Sequence, residues 1–387
     1  MKSEADRYYR FEKSTTRFGA IRTTTSISMA ITKSDSHAEE TADKAALLAS
    51  LLAWYDRHRR DLPWRAAVGG SPDPYHVLVS ELMLQQTTVA TVRGRFGAFI
   101  ERFPDFQTLA AASEAEVMHA WQGLGYYRRA RALHACAQAV VSDLGGRLPN
   151  DLEGLLTLPG IGAYTAKAIA AIAFGQPVVP VDGNVMRVLA RLFRVEIALP
   201  GAASVLRAHA SWFEPCPRPA DVAQALMDLG ATICRPKRPD CQRCPWEGAC
   251  VAARAGVAAA LPRREPKAAR PVRQGVAFLL SRPDGAIFFR RRPPKGLLGG
   301  LHELPSSPWE EGPLNRIEAL KSAPLEADWQ FVDGKVRHVF THFTLELDLA
   351  KATTDQPPDG LWQPPRALDQ LALPTLMKKL LLHGGRL

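Results

Sequence analysis

The sequence predicts a multidomain protein in which an all-α domain precedes a smaller α+β domain. Three observations carry this prediction. Apolar residues recur at helical spacing from Ala45 to about Ala253, a proline-rich cationic stretch follows, and beyond it the pattern changes to short β-like runs separated by Gly and Pro turns. A length of 387 residues fits two or three domains at roughly 100 to 200 residues each, and 46% hydrophobic content suits packed cores.

Taken in order, residues 1–41 are rich in Ser, Thr and Arg, with no apolar period and no secretory core, and are expected to form a disordered leader. Met29 within it offers a later start, and six acidic residues count against an organelle transit peptide. Residues 42–255 form the helical domain. Leu47, Leu51, Trp54 and Tyr55 share one helical face, as do Val77, Leu78, Leu82 and Leu84, and again Ala166, Ile169, Ala170 and Ile172. Its strongest turn is Leu158-Pro159-Gly160-Ile161-Gly162-Ala163-Tyr164, followed by a helix from near Tyr164, an apolar strand-like run ending at Val181, and a helix over Val185 to Phe193. Residues 256–271, holding Pro262, Pro266 and Pro271 among basic side chains, have the composition of a semi-rigid cationic linker. In residues 272–387, β-like runs cover Val276 to Leu280, Ala286 to Phe289 and, with alternation, Val339 to Leu349; a helix around Leu376 to Leu382 closes the chain.

Charge and cysteine usage then bound the function. The net charge is +10, from 49 Lys and Arg against 39 Asp and Glu, so a polyanion is a fitting partner. The excess is spread as +1, +4 and +5 over residues 1–41, 42–255 and 256–387, so neither large segment is a polybasic tail. No apolar run approaches the ~20 residues of a membrane-spanning helix. Four of the six cysteines, Cys234, Cys241, Cys244 and Cys250, fall within seventeen residues, which excludes a dispersed disulfide scaffold and points to a reducing compartment. Cys136 and Cys216 stand apart as packing residues.

Three constellations carry chemistry. The spacing C-x6-C-x2-C-x5-C lets four thiolates from one loop converge on a soft-metal centre; zinc competes, but its four-cysteine sites favour two short C-x2-4-C knuckles and only Cys241 and Cys244 make one. Arg235, Lys237, Arg238 and Arg243 on that loop either contact phosphates or offset the negative charge of the centre. Gly160 and Gly162 allow positive φ or close approach, and the helix after them directs free amides outward, an arrangement that binds phosphate or simply turns a helical corner. Glu81, with Val77 and Leu78 before it and Leu84 after it, lies on a mostly apolar face, where desolvation raises a carboxyl towards the range of a general acid; a buried structural Glu has the same pattern. Asp182 precedes a helix and reads first as its N-cap.

The segments LPGIGAYTA (158–166) and PVDGNVMRVLAR (180–191), with the cysteine spacing, resemble the helix-hairpin-helix DNA glycosylases of the endonuclease III superfamily. Within it, LPW (62–64), SELMLQQTTVATV (80–92) and GLGYYRRARAL (123–133) resemble the MutY-type adenine DNA glycosylases. With FTHF (340–343) the match spans about residues 45–385. The resemblance implies a helix-hairpin-helix glycosylase domain whose loop 234–250 holds a [4Fe-4S] iron-sulfur cluster, followed by a Nudix-like domain. It assigns Glu81 as the acid that protonates adenine at N7 and Asp182 as the carboxylate that stabilises positive charge at C1′, the acid-and-anion pair that glycosidic cleavage requires. Tyr164 stands where bifunctional relatives carry a nucleophilic lysine, and a phenol cannot form their imine, so a monofunctional enzyme is expected. Lys167, one turn on, reads as a solvated helix lysine.

By the same resemblance, Arg60, Trp64, Arg65 and Gln224 line an adenine pocket, with Glu replacing Gln224 in some relatives. Gln86 and Tyr126 wedge the stack, Gln85-Gln86-Thr87 touches the opposing purine, Asn184 joins the substrate contacts, and Gly160 and Gly162 meet the DNA backbone. Without it, Trp64 and Tyr126 are core aromatics, and Arg128, Arg129 and Arg131 a solvated face or phosphate contacts. The C-terminal domain lacks a G-x5-E-x7-R-E-x2-E-E run, so no Mg²⁺ site for phosphoanhydride cleavage is expected. Phe340-Thr341-His342 matches the family's F-S-H loop for 8-oxoguanine with Thr for Ser, although Phe340 also fits a buried strand; Gly299-Gly300-Leu301 and Arg290 to Arg292 match too, while Leu298 stands where many members have Trp. The expected activity is excision of adenine opposite 8-oxoguanine or guanine in double-stranded DNA, by a monomer in the cytoplasm at the nucleoid. The alternatives are an endonuclease III-like glycosylase/lyase for oxidised pyrimidines, against which Tyr164 and the C-terminal domain argue, and a non-catalytic iron-sulfur protein that binds DNA.

Overall fold

The computed structural model describes residues 36–387, except 68, 267–268 and 294–295, so most of the expected leader lies outside the described residues. The helical part comprises α1 (Ser36–His58), α2 (Pro74–Leu84), α3 (Val89–Arg102), α4 (Phe106–Ala111), α5 (Glu114–Ala120), α6 (Arg128–Leu144), α7 (Leu152–Thr157), α8 (Ala163–Phe174), α9 (Gly183–Leu192), α10 (Ala203–Trp212), α11 (Pro219–Thr232) and α12 (Val251–Arg254). The rest comprises strands β1 (Val272–Ser281), β2 (Ile287–Arg291), β3 (His302–Glu303), β4 (Glu310–Glu311), β5 (Gln330–Val339), β6 (Thr344–Thr353) and β7 (Leu361–Gln363), with α13 (Arg316–Leu320) and α14 (Thr375–His383).

Polar side chains start the helices where the apolar period begins. Asp73, Thr88, Asp105, Ser113, Asp151 and Asp182 each accept a backbone N–H of the helix they precede, and Ser113 with Glu116 forms a reciprocal capping box. Gly145 and Gly175, at φ +62° and +65°, end α6 and α8 in the left-handed conformation. The helices bury their apolar faces in two cores. One gathers α2, α3, α6 and α8 around Leu78, Met83, Phe99, Trp121 and Ile169; the other gathers α1, α9, α10 and α11 around Leu51, Tyr55, Leu189, Phe213 and Trp246.

The strands form one mixed sheet in the order β3-β2-β1-β6-β5, with β4 against β1 and β7 against β2. β1 and β6 run parallel in register from Val272 opposite Thr344 to Ser281 opposite Thr353, and the remaining pairs are antiparallel. α14 covers one face through Leu376, Met377, Leu380 and Leu381, and α13 covers the other through Ala319. β1 is therefore buried on both faces, which explains its unbroken apolar run from Val276 to Leu280. Lys44–Leu387 is one compact unit, and Leu301 of the sheet domain joins the first helical core.

Several expectations differ from the structure. α1 begins at Ser36, inside the expected leader, because Ala38, Glu39, Glu40 and Ala42 are good helix formers. The linker 256–271 is docked over its first half. Ala258 and Leu261 are buried beside the cysteine loop, Arg191 Nε donates to the Leu261 carbonyl at 2.9 Å, and Leu199 pairs with Arg263 and Glu265 at 2.9 and 3.1 Å. The run ending at Val181 is extended but pairs with no strand, and the following helix starts at Gly183, two residues before the expected Val185. The alternating run Val339–Leu349 is broken by a turn closed by Phe340 N–H to Phe343 C=O at 2.9 Å, so Phe340-Thr341-His342 sits at the tip of a β5–β6 hairpin. β5 was not expected at all, because its exposed, polar edge position removes the apolar signal.

The hairpin between α7 and α8 uses its two glycines differently. Gly160 has φ +76°, and a Cβ there would lie 2.4 Å from Ala132 Cβ, whereas Gly162 has φ −94° with nothing within 4 Å. Gly160→Ala is expected to cost about 1–3 kcal/mol from the backbone alone, with a further packing term, while Gly162→Ala stays within ~0.5 kcal/mol of the parent. Denaturant unfolding of both variants, and of Gly160→Ala combined with Ala132→Gly, checks this; the double variant should recover the packing part and keep the backbone part.

Candidate active site

α2 is apolar all round, with Val77, Leu78, Val79, Leu82 and Met83 buried, so the carboxyl it carries at position 81 is buried with them. Glu81 is 6% exposed. Burial is the main cause pushing its pKa up to about 7; Asp182 adds to the rise, while a hydrogen bond with Tyr164 and the charge of Arg65 oppose it. Tyr164, in the first turn of α8, has its phenol raised well above the usual range by burial and then by the charges of Glu81 and Asp182, so it is a neutral phenol hydrogen-bonded to Glu81. Lys167 is held at 3.3 Å from Glu214 Oε1, which also accepts the Val179 amide at 2.6 Å, so this lysine is ion-paired rather than solvated.

Beside Glu81 opens a cavity of about 420 Å³, lined among others by Arg60, Trp64, Arg65, Leu84, Ile172 and Gln224. The arginines are aimed by Asp228, a residue that sequence reasoning missed. Asp228 is fully buried on α11; Arg65 bonds both of its oxygens at 2.7 Å, and Arg60 contributes its Nε at 2.7 Å and its backbone N–H at 3.1 Å. Burial raises the Asp228 pKa, but the bonds and charges of Arg65 and Arg60 outweigh it and hold the carboxyl below the usual range. A signal was present: an acid between Ala225, Leu226 and Leu229 on an apolar helix has the same pattern as Glu81.

Asp182 caps α9. Its Oδ1 accepts the Val185 amide at 2.7 Å and its Oδ2 accepts Asn184 Nδ2 at 2.9 Å, which fixes the carboxyl orientation. Asn184 Oδ1 accepts from Arg187, whose guanidinium also reaches the Gly230 and Cys234 carbonyls at 2.7 Å each. Arg191, one turn on, donates to Cys234 Sγ at 3.2 Å and to the carbonyls of Arg235 and Pro236. Gly230 lets α11 approach, since a Cβ there would lie 2.6 Å from Asn184 Cβ. Asn184 is therefore a bridge between the Asp182 carboxyl and the cysteine loop.

Cys234, Cys241, Cys244 and Cys250 ring a cleft of about 400 Å³ whose other walls include Leu192, Trp246 and Ala258. Among the described residues no three His, Cys, Asp or Glu side chains are set to hold a single metal ion. The chemistry of this donor set, four thiols lining one cleft, fits a soft-metal centre. Arg235, Lys237, Arg238 and Arg243 are exposed on this loop.

The loops expected to enter DNA lie outside the cavity. Gln86 and Tyr126 are exposed and have φ +56° and +46°, the left-handed region. Gln85 Nε2 donates to Thr165 Oγ1 at 3.3 Å, and Thr87 Oγ1 donates to the Leu124 carbonyl at 3.2 Å. The Tyr126 hydroxyl lies 3.4 Å from Thr341 Oγ1, so the β5–β6 hairpin tip meets this loop; Phe340 stacks on Trp309 and Thr341 and His342 are exposed. The two domains are joined nearby by Gln122 Nε2 to the Leu371 carbonyl at 2.6 Å and Arg131 Nη2 to the Gly299 carbonyl at 2.5 Å. Arg129, expected on a solvated face or at phosphate, is buried instead, because it is surrounded by carbonyls of α2 and of the loop before α6.

Comparison with known proteins places this geometry. The model of the HhH-GPD superfamily of base excision DNA repair proteins matches residues 79–215, and that of the NUDIX domain matches residues 276–383. The adenine DNA glycosylase of Homo sapiens is 37% identical over 410 residues, covering 88% of this chain and 74% of that protein. That of Mycolicibacterium smegmatis is 45% identical over 195 residues, 50% of this chain and 66% of that one. Among solved structures, a thermostable thymine-DNA glycosylase superposes with a TM-score of 0.51 at 28% identity, covering 57% of this chain and all of the other.

A raised carboxyl has a consequence for stability. Between about 4.5 and about 7 folded Glu81 keeps a proton that the unfolded chain has lost, so its contribution is complete at low pH and drains away as pH rises through 7. Glu81→Gln removes this loss. Thermal unfolding should show the variant gaining on the parent at pH 8 relative to pH 5; an equal difference at both would mean that Glu81 is not desolvated.

Proposed function

The chain belongs to the adenine DNA glycosylase family of helix-hairpin-helix base excision repair enzymes, hydrolases of N-glycosyl bonds, and on that premise we propose that it excises adenine opposite 8-oxoguanine or guanine in duplex DNA without lyase activity. The observation that carries the proposal is the cavity in which Arg60, Trp64, Arg65 and Gln224 surround a carboxyl raised to about 7. A flipped adenine enters that cavity at an extrusion cost of a few kcal/mol. Glu81 protonates N7, the C1′–N9 bond breaks with its electrons going to the base, Asp182 stabilises the positive charge left at C1′, and water adds there, giving its proton to the Glu81 carboxylate and so restoring the acid. Tyr164 donates to Glu81 and forms no imine, and Lys167 is tied to Glu214.

The family typically carries an iron-sulfur cluster. We propose that Cys234, Cys241, Cys244 and Cys250 hold a [4Fe-4S] group, which when bound supplies a cross-link for the loop and no step of the hydrolysis. Arg191 then donates to a ligating sulfur, and Arg187 connects the same loop to Asn184 and Asp182. On the sheet domain we assign Phe340, Thr341 and His342 to reading the opposite 8-oxoguanine; their support is the contact of Thr341 with Tyr126.

The test is a glycosylase assay on four duplexes, adenine opposite 8-oxoguanine, guanine, cytosine or thymine, with and without alkali to reveal abasic sites. Excision is expected opposite the first two, with strand breaks only after alkali. Glu81→Gln should keep duplex binding and lose at least ~100-fold in excision; loss of binding in parallel would instead make Glu81 structural. Thr341→Ala should lower the ratio of excision opposite 8-oxoguanine to that opposite guanine, leaving the rate opposite guanine near the parent's. An unchanged ratio would remove the hairpin tip from base reading.

A further inference from the structure

Arg129 is 7% exposed, in the first turn of α6, and has no part in the chemistry above. Its Nη1 donates to the carbonyls of Leu82, Met83 and Gln85 at 2.7, 2.7 and 2.5 Å. Its Nη2 donates to Thr87 Oγ1 at 3.0 Å and to the carbonyls of Leu124 and Gly125 at 2.8 and 3.0 Å. The guanidinium lies over Trp121 at 5.4 Å and over Tyr126 at 5.5 Å. Burial lowers its pKa to about 10, so it remains a cation at neutral pH.

The six acceptors fall into two groups. One belongs to the C-terminal end of α2 and the loop after it, where free carbonyls and the negative end of the helix dipole favour a cation. The other belongs to the loop before α6. Each loop carries one non-glycine residue at positive φ, Gln86 and Tyr126, and both of these are exposed. Side chains held in that region persist only where the surroundings over-determine them. Gln86 lies between two residues bonded to Arg129, and Tyr126 follows two others and sits under its guanidinium.

We propose that Arg129 is a positioning residue that clamps both DNA-entering loops, holding Gln86 and Tyr126 in wedge conformation and Thr87 in place before the duplex arrives. It rests on the adenine-excision reading, and it locates the effect of Arg129 in base extrusion and not in bond cleavage. Arg129 itself does not touch DNA. Its rigid fork spans two sets of acceptors that a lysine ammonium cannot span together.

The experiment uses the full chain with Arg129→Ala and Arg129→Lys. Extrusion is read from the fluorescence of 2-aminopurine placed at the target position opposite 8-oxoguanine. Cleavage is read in single turnovers on adenine opposite either 8-oxoguanine or an abasic analogue, where no partner base opposes extrusion. Arg129→Ala should slow extrusion, and excision opposite 8-oxoguanine, by about tenfold or more. It should lose about twofold or less opposite the abasic analogue and leave the pH profile of cleavage unshifted. Free guanidinium, well below unfolding concentrations, should restore part of the extrusion rate, a recovery that a general folding defect would not give. Arg129→Lys should fall between Arg129→Ala and the parent, and it keeps the test available if Arg129→Ala does not fold. Equal losses on both duplexes, or folded Arg129→Lys that matches the parent in extrusion, overturn the proposal. A parent that releases no adenine from any duplex overturns the functional reading instead.

Discussion

The site depends on keeping a carboxyl dry next to an arginine without letting it ionise. Glu81 gains its pKa near 7 from burial, against which a hydrogen bond with Tyr164 and then the charge of Arg65 act. Arg65 is itself committed to Asp228, which is fully buried, bonded by Arg65 at both oxygens and by Arg60 besides. A buried carboxylate with too few partners costs several kcal/mol, and here two guanidinium groups share it. Burial sets the acidity of Glu81, and the ion cluster holds two cations in the cavity wall beside it. Tyr55, whose hydroxyl is buried with no partner in this region, closes the back of the cluster with its ring beneath Arg59 and Arg65.

A second constraint is distance between helices. Asp182 and Glu81 belong to different cores, and their side chains converge only if α9 and α11 sit close together and α8 sits close to α2. Small residues make both approaches possible. Gly230 faces Asn184 across the first contact, and α8, which packs on α2, is kept slender by Ala166, Ala168, Ala170 and Ala171, all buried. Arg187 and Arg191 then fasten α9 to the cysteine loop through three carbonyls and one sulfur, and also reach the carbonyls of Gly230 and Leu261 on either side of it. Ordering that loop and ordering the Asp182 carboxyl are thus one event in the fold.

What the sequence made legible was decided by periodicity and by short polar motifs. Glu81 was readable because it interrupts an apolar helical face, and Asp182 because a helix follows it. The turn at Gly160 was readable because glycines punctuate it. Arg129 and Arg187 were not readable, because an arginine in a helix beside other arginines has the pattern of a solvated face, and only the tertiary arrangement of carbonyls shows that it is enclosed. β5 was hidden for the opposite reason: an edge strand exposes polar residues such as Asp333, Lys335 and Arg337, so it carries no buried period. The linker composition misled over residues 256–265, since Pro262 there accompanies two buried anchors, Ala258 and Leu261.

The joint between the domains follows from similar reasoning. The proposed reading of the opposite base by the sheet domain requires that domain to be held against the helical domain within hydrogen-bond tolerance. Leu301 enters the first core, and Leu298, at φ +54°, packs against both that core and the core of the sheet. A left-handed leucine is strained, and the carbonyl of its neighbour Gly299 is held by Arg131, which also pairs with Glu114. A Cβ at Gly300 would fall 2.4 Å from the same arginine. Apolar area alone permits sliding of the two domains. The combination of one strained apolar anchor, one arginine fixed from both sides and a glycine that admits it selects a single register, and that register brings Thr341 against Tyr126.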